Sequence, residues 1–280
     1  MNTLEVKNLT KSFAGFKLDD VSFSLPSGCI MGLIGENGAG KSTTIKLILD
    51  IVHKDGGSVT IFGRDNGEDM KLTKEDLGVV MDEVGIPYCL TAKQVGKVMC
   101  HTFRNWDGEE YARLISRLSV PEGKPFKDLS RGMKMKLGIA VAMSHGAKLL
   151  LLDEPTSGLD PVVRDEVVEM FRDFTRDEEH SILISSHIVS DLEKLCDYIA
   201  FLHAGRLLLC EEKDRLLDRY GMVYCSAQQL NALPSDAVRH RRETPYGAEA
   251  LVIRSAVPSD MEVRPVSIEE LFVFMAKEGK

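Results

Sequence analysis

The sequence has few of the features that mark a secreted, membrane-spanning or nucleic-acid-binding protein. Its six cysteines are scattered without a CxxC pair, which argues against a zinc site and against a disulfide framework. No segment approaches the roughly 18 to 20 consecutive apolar residues that span a bilayer. Positive charge is not in excess, because the formal net charge is -8, whereas proteins that bind nucleic acid usually carry a basic surface.

The chain also shows no signal-peptide pattern, because MNTLEVKNLT begins directly with a strand-like alternation. Its only dense basic cluster is RHRRE at residues 239–243, which we interpret as a solvated loop. At 280 residues and 44% hydrophobic content, the chain can bury one large core or two modest ones. These observations predict a cytosolic globular protein with free thiols that binds no nucleic acid.

Near-continuous apolar runs alternate with helical patterns over most of the chain. Such runs are typical of parallel strands that are covered on both faces, so the sequence predicts an α/β fold with a parallel core. The predicted strands are residues 29–34, 77–81, 148–152, 181–185 and 198–202. The predicted helices are residues 40–49, 162–176 and 188–195.

Two stretches depart from this alternation. Residues 88–146 are nearly all helical in character, which predicts an inserted helical subdomain. After about residue 220, turn-forming segments separate two short strands from a final amphipathic helix, IEELFVFMAKE. We predict a first domain of residues 1–217 and a small α+β appendage of residues 218–280. The appendage is interpreted as a cover for an apolar sheet edge, with a dimer contact or a regulatory element as the alternatives.

The most specific motif is GLIGENGAGKSTT, which fits the spacing G-x-x-x-x-G-K-[ST] between an apolar strand and a helix. Glycines let the backbone N–H groups turn inward towards phosphate oxygens, and the helix N-terminus adds its positive end. Lys41 is predicted to reach the β- and γ-phosphates of a nucleotide, and the Ser42 hydroxyl to bind Mg²⁺. The alternative is an ordinary Gly-rich turn. The predicted nucleotide contacts in this loop are Gly35, Glu36, Asn37, Gly38, Ala39, Gly40, Lys41, Ser42 and Thr43.

A second motif, LLLLDEPTSGLDP, supplies two carboxylates. Asp153 stands at the end of a predicted strand, where a carboxylate can hold Mg²⁺ directly or through water. Glu154 follows it and can polarise an attacking water. An acidic pair at a strand end is usually a cap, but together with the phosphate loop it predicts a nucleotide hydrolysis site.

With these residues the chain resembles the ATP-binding subunits of ABC transporters over about residues 4–217. LSRGM at residues 129–133 resembles the signature motif of that family, SGLD at residues 157–160 resembles its D-loop, and His187 in SSHIVSDLE resembles its switch histidine. Phe13 in TKSF stands where the family places an aromatic ring against adenine. The resemblance implies a P-loop NTPase of ABC type, with an antiparallel β subdomain and an inserted helical subdomain.

The resemblance also implies a head-to-tail dimer, either a homodimer or a heterodimer, in which each ATP lies between one subunit's phosphate loop and the other's signature segment. Ser130, Gly132 and Met133 would then bind the γ-phosphate through the start of a helix, although Ser130 also fits a plain N-cap, and both roles can hold. Asp160 is implied to act structurally across the dimer.

Three residues are implied to be catalytic. Glu154 would orient and activate the water, His187 would contact the γ-phosphate, and Lys41 would hold the β- and γ-phosphates. Hydrolysis would then release the dimer. Because Glu154 and His187 are both present, a regulatory nucleotide switch with little turnover is the less favoured alternative.

The chain departs from the family's pattern at several positions. Arg131 and Met133 stand in the signature where Gly and Gln are usual, and Phe13 replaces the more usual Tyr. Asp82 ends the LGVVM strand, where the family typically has a Gln that ligates Mg²⁺. We predict that the Asp82 carboxylate supplies an oxygen to Mg²⁺, directly or through water, because hard cations accept carboxylate and amide oxygens alike. A strand cap is the alternative for Asp82, and Glu83 is interpreted as solvated.

The predicted cofactors are therefore ATP and Mg²⁺, with no other metal. The predicted partner is an integral-membrane permease, through which this ATPase would lie peripherally on the cytoplasmic face of the membrane. The LSRGM segment and the short C-terminal extension favour an exporter. The main alternative is a soluble ABC ATPase that acts on a ribosome, on DNA or on a signalling protein, although the chain has one cassette, no heptad array and no metal-ligand spacing.

Overall fold

The computed structural model describes residues 1–67, 74–82, 84–244, 247–259 and 261–278. Contacts between residues divide the chain into two compact units, Met1–Leu207 and Leu208–Lys280. Residues 208–217, which the sequence analysis assigned to the first domain, therefore group with the second unit. The domain limits 1–217 and 218–280 stay predictions.

The first unit begins with a four-stranded antiparallel sheet in the order β2-β1-β4-β5. In β2 the buried side chains of Val21, Phe23 and Leu25 alternate with exposed polar ones, as expected when one face of a sheet is covered. This sheet is the predicted antiparallel β subdomain. Its strands are β1 (Asn2–Phe13), β2 (Phe16–Pro26), β4 (Gly56–Ile61) and β5 (Arg64–Asp65).

A second sheet of the first unit contains parallel strands in the order β9-β3-β8-β7-β6. Every residue of β3, β7 and β8 is buried, which explains why these segments are apolar without alternation. The predicted α/β fold with a parallel core is confirmed. The strands are β3 (Ile30–Ile34), β6 (Leu77–Val80), β7 (Leu149–Asp153), β8 (Ser181–Ser186) and β9 (Tyr198–His203).

Three of the helices described in the first unit fall within the predicted helical range 88–146. We call Lys41–Ile48 the phosphate-loop helix and Arg131–Met143 the signature helix. No helix among the described residues is both long enough and apolar enough to cross a bilayer. The helices of this unit are Lys41–Ile48, Ala92–Thr102, Gly108–Arg117, Arg131–Met143, Pro161–Phe174 and Val189–Leu195.

The chain passes from the first unit to the second within β10 (Arg206–Glu212). The second unit has an antiparallel sheet in the order β12-β13-β11-β14. The sequence predicts two short strands here and a solvated loop at RHRRE. The loop prediction is wrong, because residues 239–243 lie in the edge strand β12. An edge strand with exposed arginines lacks the apolar alternation by which strands are recognised. The strands are β11 (Tyr220–Cys225), β12 (Val238–Thr244), β13 (Gly247–Ile253) and β14 (Arg264–Pro265).

The helices described in the second unit are Lys213–Arg219, Ala227–Ala232 and Ile268–Glu278. A small apolar core lies among these elements, in which the side chains of Val223, Leu230, Ala250 and Val252 are buried. This unit has its own sheet and its own core, and it has the α+β character that the sequence predicts.

Candidate functional site

The phosphate loop joins β3 to the phosphate-loop helix. Gly40 lies at the N-cap of this helix with φ of 110°, in the left-handed region that favours glycine. A Cβ atom at Gly40 would lie 2.9 Å from Leu18 Cδ1 and 3.0 Å from Phe16 Cζ. The loop therefore needs glycine at this position for its backbone angle and for its packing, and the helix start with its backbone N–H groups is the kind of end that binds anions.

Lys41, the first residue of the phosphate-loop helix, has a buried side chain of which only 6% is exposed. Its ammonium group donates a hydrogen bond to the carbonyl oxygen of Gly35 at 2.7 Å and lies 3.4 Å from Oε1 of Glu154. The loop carbonyl and the glutamate thus hold the lysine in place without a ligand. A cation fixed in this way needs little reorganisation to meet phosphate oxygens.

The two carboxylates of the second motif occupy different environments at the end of β7. The side chain of Asp153 is 1% exposed, and its Oδ1 accepts a 2.6 Å hydrogen bond from Oγ of Ser185 on the neighbouring strand β8. Glu154, one residue later, has φ of 53°, an uncommon backbone conformation for a residue other than glycine. Its backbone N–H donates to the Ser185 carbonyl at 3.1 Å, which holds this conformation. Strained residues of this kind concentrate at functional sites.

His187 follows the end of β8 and meets Glu154. The imidazole Nδ1 lies 2.6 Å from Oε2 of Glu154, and the backbone N–H of His187 donates to the same oxygen at 3.3 Å. Since a carboxylate oxygen accepts, Nδ1 is the donor in this hydrogen bond. Parallel pairing of β7 with β8 places the two residues side by side, so the carboxylate is oriented by an imidazole on one side and by Lys41 on the other.

These groups surround one cavity of about 820 Å³. It brings together ten of the residues that the sequence analysis had selected for nucleotide, metal or catalytic roles. They are Glu36, Asn37, Gly38, Gly40, Lys41, Ser42, Thr43, Asp82, Glu154 and His187. Four further lining residues were missed as site residues, namely Gly15, Phe16, Arg131 and Ser157.

Phe13 is not among the residues that line this cavity. It ends β1 with 45% of its surface exposed and pairs across the hairpin with Phe16 of β2, the two ring centroids lying 6.4 Å apart. Phe16 is the aromatic residue that faces the cavity. The sequence contains a signal that could have identified Phe16, because this residue is the first of the returning strand after a two-residue turn. The adenine contact of Phe13 stays a prediction.

The signature residues Ser130, Gly132 and Met133 do not line the cavity of their own chain. Ser130 is the N-cap of the signature helix, and its hydroxyl accepts a hydrogen bond from the backbone N–H of Met133 at 3.2 Å. A Cβ atom at Gly132 would lie 3.1 Å from the carbonyl oxygen of Gly158 in the SGLD segment. The cap interpretation of Ser130 is thus correct, and its role across a dimer interface stays a prediction.

Asp160 also caps a helix, since its side chain accepts from the backbone N–H of Val163 at 3.1 Å at the start of Pro161–Phe174. The remaining predicted loop residues, Gly35 and Ala39, support the cavity without lining it. Ala39 is buried, and the Gly35 carbonyl receives the lysine.

Asp82 lies two residues after the end of β6 and lines the cavity wall. Its Oδ1 accepts a hydrogen bond from Nη2 of Arg131, the first residue of the signature helix. The metal-ligand role of Asp82 stays a prediction, and its neighbour Glu83 lies outside the described residues.

Replacement of Ser185 by alanine is expected to destabilise the first unit, because the buried Asp153 carboxylate would lose its 2.6 Å hydrogen bond. Hydrogen bonds to charged groups contribute about 1.5–3 kcal/mol, so we expect a loss of about 2 kcal/mol in the free energy of unfolding. Urea denaturation measures this. Ser116→Ala, at an exposed helix position, is the control and should change stability by less than about 0.5 kcal/mol. Equal stability of Ser185→Ala and the unmodified chain would contradict the expectation.

A glycine loop after one strand of a parallel sheet, with acidic residues at the end of another strand of the same sheet, defines a P-loop nucleotide-binding protein. The family model described as ABC transporter matches residues 18–157. The chain belongs to this family and is an ABC-type ATPase.

Individual relatives extend this result. The ABC transporter ATP-binding protein YtrB of Bacillus subtilis (strain 168) is 30% identical over an alignment of 291 positions, which covers 99% of this chain and 98% of YtrB. The lantibiotic transport ATP-binding protein SrtF of Streptococcus pyogenes is 36% identical over 215 residues, which cover 75% of this chain and 91% of SrtF. The solved structure of an ATP-binding subunit of an ABC transporter has a TM-score of 0.66 and 28% identity, and covers 76% of this chain and 91% of that one. The similarity to YtrB therefore includes the second unit.

Proposed function

We propose that this chain binds Mg²⁺ and ATP, dimerises around ATP, and uses hydrolysis to power a separate membrane permease, with export as the direction of transport. The observation that carries the proposal is the convergence of Lys41, Glu154 and His187 on one cavity beside the phosphate loop. The similarity to SrtF, a lantibiotic transport ATP-binding protein, favours a role in transport.

The phosphate loop would hold the β- and γ-phosphates through its backbone N–H groups and Lys41. The donor chemistry around it suits Mg²⁺, because Ser42 and Asp153 offer a hydroxyl and a carboxylate, the oxygen donors that this cation prefers. The buried Asp153 carboxylate accepts a hydrogen bond from Ser185, and no ion pair found among the described residues includes it, so a bound cation would supply the opposite charge. Bound Mg²⁺ would neutralise charge on the phosphates. Asp82 is a further predicted ligand.

Hydrolysis would depend on Glu154 as the residue that orients and activates water. His187 donates to the Glu154 carboxylate and would also contact the γ-phosphate. The 2.6 Å contact between these side chains fixes the carboxylate before a nucleotide arrives, which lowers the cost of arranging the site.

Dimerisation would place the start of the signature helix against the γ-phosphate of the other subunit, in a homodimer or a heterodimer. Ser130 and Asp160 are exposed at two helix starts, which leaves both available to a partner subunit. The γ-phosphate would be bound by Ser130, Gly132 and Met133, while Asp160 would act structurally across the interface.

The permease would hold this subunit on the cytoplasmic face of the membrane. Affinity purification of the tagged chain from detergent-solubilised membranes tests this, and a multi-span membrane protein should co-purify with it. The alternative is a soluble ABC ATPase that acts on a ribosome, DNA or a signalling protein. ATPase stimulation by ribosomes or DNA, together with the lack of any membrane partner, would favour that alternative and overturn the proposal.

Removal of Mg²⁺ by EDTA is expected to lower ATP turnover by at least about 100-fold, because the metal neutralises charge that develops on the phosphates. Phosphate release measures this, and excess Mg²⁺ should restore the rate. Turnover that is unaffected by EDTA would contradict the proposed Mg²⁺ requirement.

A further inference from the structure

The cavity wall carries negative charge beside the loop that would bind a polyphosphate. Its lining residues include three carboxylates, on Glu36, Asp82 and Glu154, and two groups with a permanent positive charge, on Lys41 and Arg131. Like charges repel, so each carboxylate that faces the phosphates opposes nucleotide binding unless a cation compensates it. Lys41 compensates Glu154 at 3.4 Å.

Arg131 has the corresponding place beside Asp82. Its guanidinium donates to the Asp82 carboxylate, and both side chains line the cavity. About half of each side chain is exposed, 49% for Asp82 and 59% for Arg131, so solvent can reach the ion pair. Burial of the two charges therefore does not explain why they contact each other. The two side chains have opposite charges and contact each other.

We propose that Arg131 is a positioning residue for the nucleotide site, which holds the Asp82 carboxylate at the cavity wall and cancels its charge within the same subunit. The proposal rests on the proposed function as an ATP-binding subunit. The ion pair would explain how a carboxylate is tolerated beside the phosphates. If Arg131 were absent, Lys41 would be the one permanent cation among the lining residues described.

The two single substitutions should therefore have opposite effects on ATP affinity. Arg131→Gln leaves the Asp82 carboxylate without its cationic partner. ATP binding should weaken about three- to fivefold, the size of effect expected for charges that solvent partly screens. In EDTA, where no metal is bound, Asp82→Asn removes the negative charge, leaves the Arg131 cation uncompensated and should strengthen ATP binding. The double variant Asp82→Asn with Arg131→Gln should bind ATP as the unmodified chain does. Arg131→Lys keeps the charge and should retain most of the affinity.

The measurement is a titration with N-methylanthraniloyl-ATP in EDTA, at a protein concentration where sedimentation shows a monomer. These conditions exclude hydrolysis and exclude any contact of Arg131 with a nucleotide on another subunit. Arg117→Gln is the matched control, because Arg117 is paired with Glu166 and does not line the cavity. In steady-state assays with Mg²⁺, Arg131→Gln should raise the KM for ATP by a similar factor and change kcat by less than about twofold.

Affinity that is unchanged in Arg131→Gln would overturn the proposal. Affinity that stays low in the double variant would also overturn it, because Arg131 would then act on the nucleotide by itself and not through Asp82. Equal thermal midpoints of all the variants would show that loss of folding does not cause the effect. If the unmodified chain failed to bind the nucleotide, the proposed function would fall, and this outcome differs from loss of the Arg131 effect alone.

Discussion

Glu154→Gln is expected to lower ATP turnover by about 10²- to 10⁴-fold, which is the range for removal of a positioned general base. The amide keeps the size of the side chain but cannot accept a proton from water. Phosphate release from the purified chain with Mg²⁺ and ATP measures the effect. ATP affinity should stay within a few fold of that of the unmodified chain, because the phosphate loop is untouched.

Two further measurements would show that the loss of turnover comes from Glu154 itself. Glu179→Gln removes a carboxylate that pairs with Lys148 on the surface, and it should leave turnover unchanged. Under the proposed dimer mechanism, Glu154→Gln should also accumulate an ATP-bound dimer that size-exclusion chromatography detects. Turnover that survives in Glu154→Gln would assign the base to another residue, whereas little turnover in the unmodified chain would favour the switch alternative.

Lys41→Ala is expected to weaken ATP binding by about 100-fold, since hydrogen bonds between an ammonium group and phosphate are charge-assisted. The loss would be increased by Glu154, whose carboxylate lies 3.4 Å from the lysine and would be left uncompensated at the cavity wall. Isothermal titration with ATP measures the affinity.

Lys46→Ala is the matched control for this variant. Lys46 lies on the same phosphate-loop helix, five residues later, but its side chain is exposed and does not line the cavity. Its replacement should leave ATP affinity unchanged. Equal losses in the two variants would mean that helix stability, and not the cation in the cavity, controls binding.

Much of the site could be predicted because its residues occupy fixed places relative to local structure. Gly40, Lys41 and Ser42 must follow a strand and begin a helix, and both elements have clear apolar patterns. Asp153 ends a strand whose other residues are all leucine, and Glu154 follows it. Since the carboxyl ends of parallel strands lie at one edge of a sheet, the sequence placed these residues near each other without knowledge of the strand order.

Other features depended on contacts that local patterns do not contain. Phe13 and Phe16 are equally aromatic and are paired across the hairpin, and only the tertiary position of each ring decides that Phe16 lines the cavity. The edge strand β12 was missed because arginines interrupt its apolar alternation, although its backbone is paired with β13.

The sequence by itself determined the class of fold, the phosphate loop and the acidic strand end, because each depends on spacing within a short segment. Tertiary structure alone decided that His187 contacts Glu154, through the pairing of β7 with β8, and that Asp82 meets Arg131. The second pair joins the end of β6 to the start of the signature helix, residues 49 positions apart in the chain. Such contacts follow from how strands and helices pack, since side chains distant in sequence meet only once the sheet order and the helix positions are set.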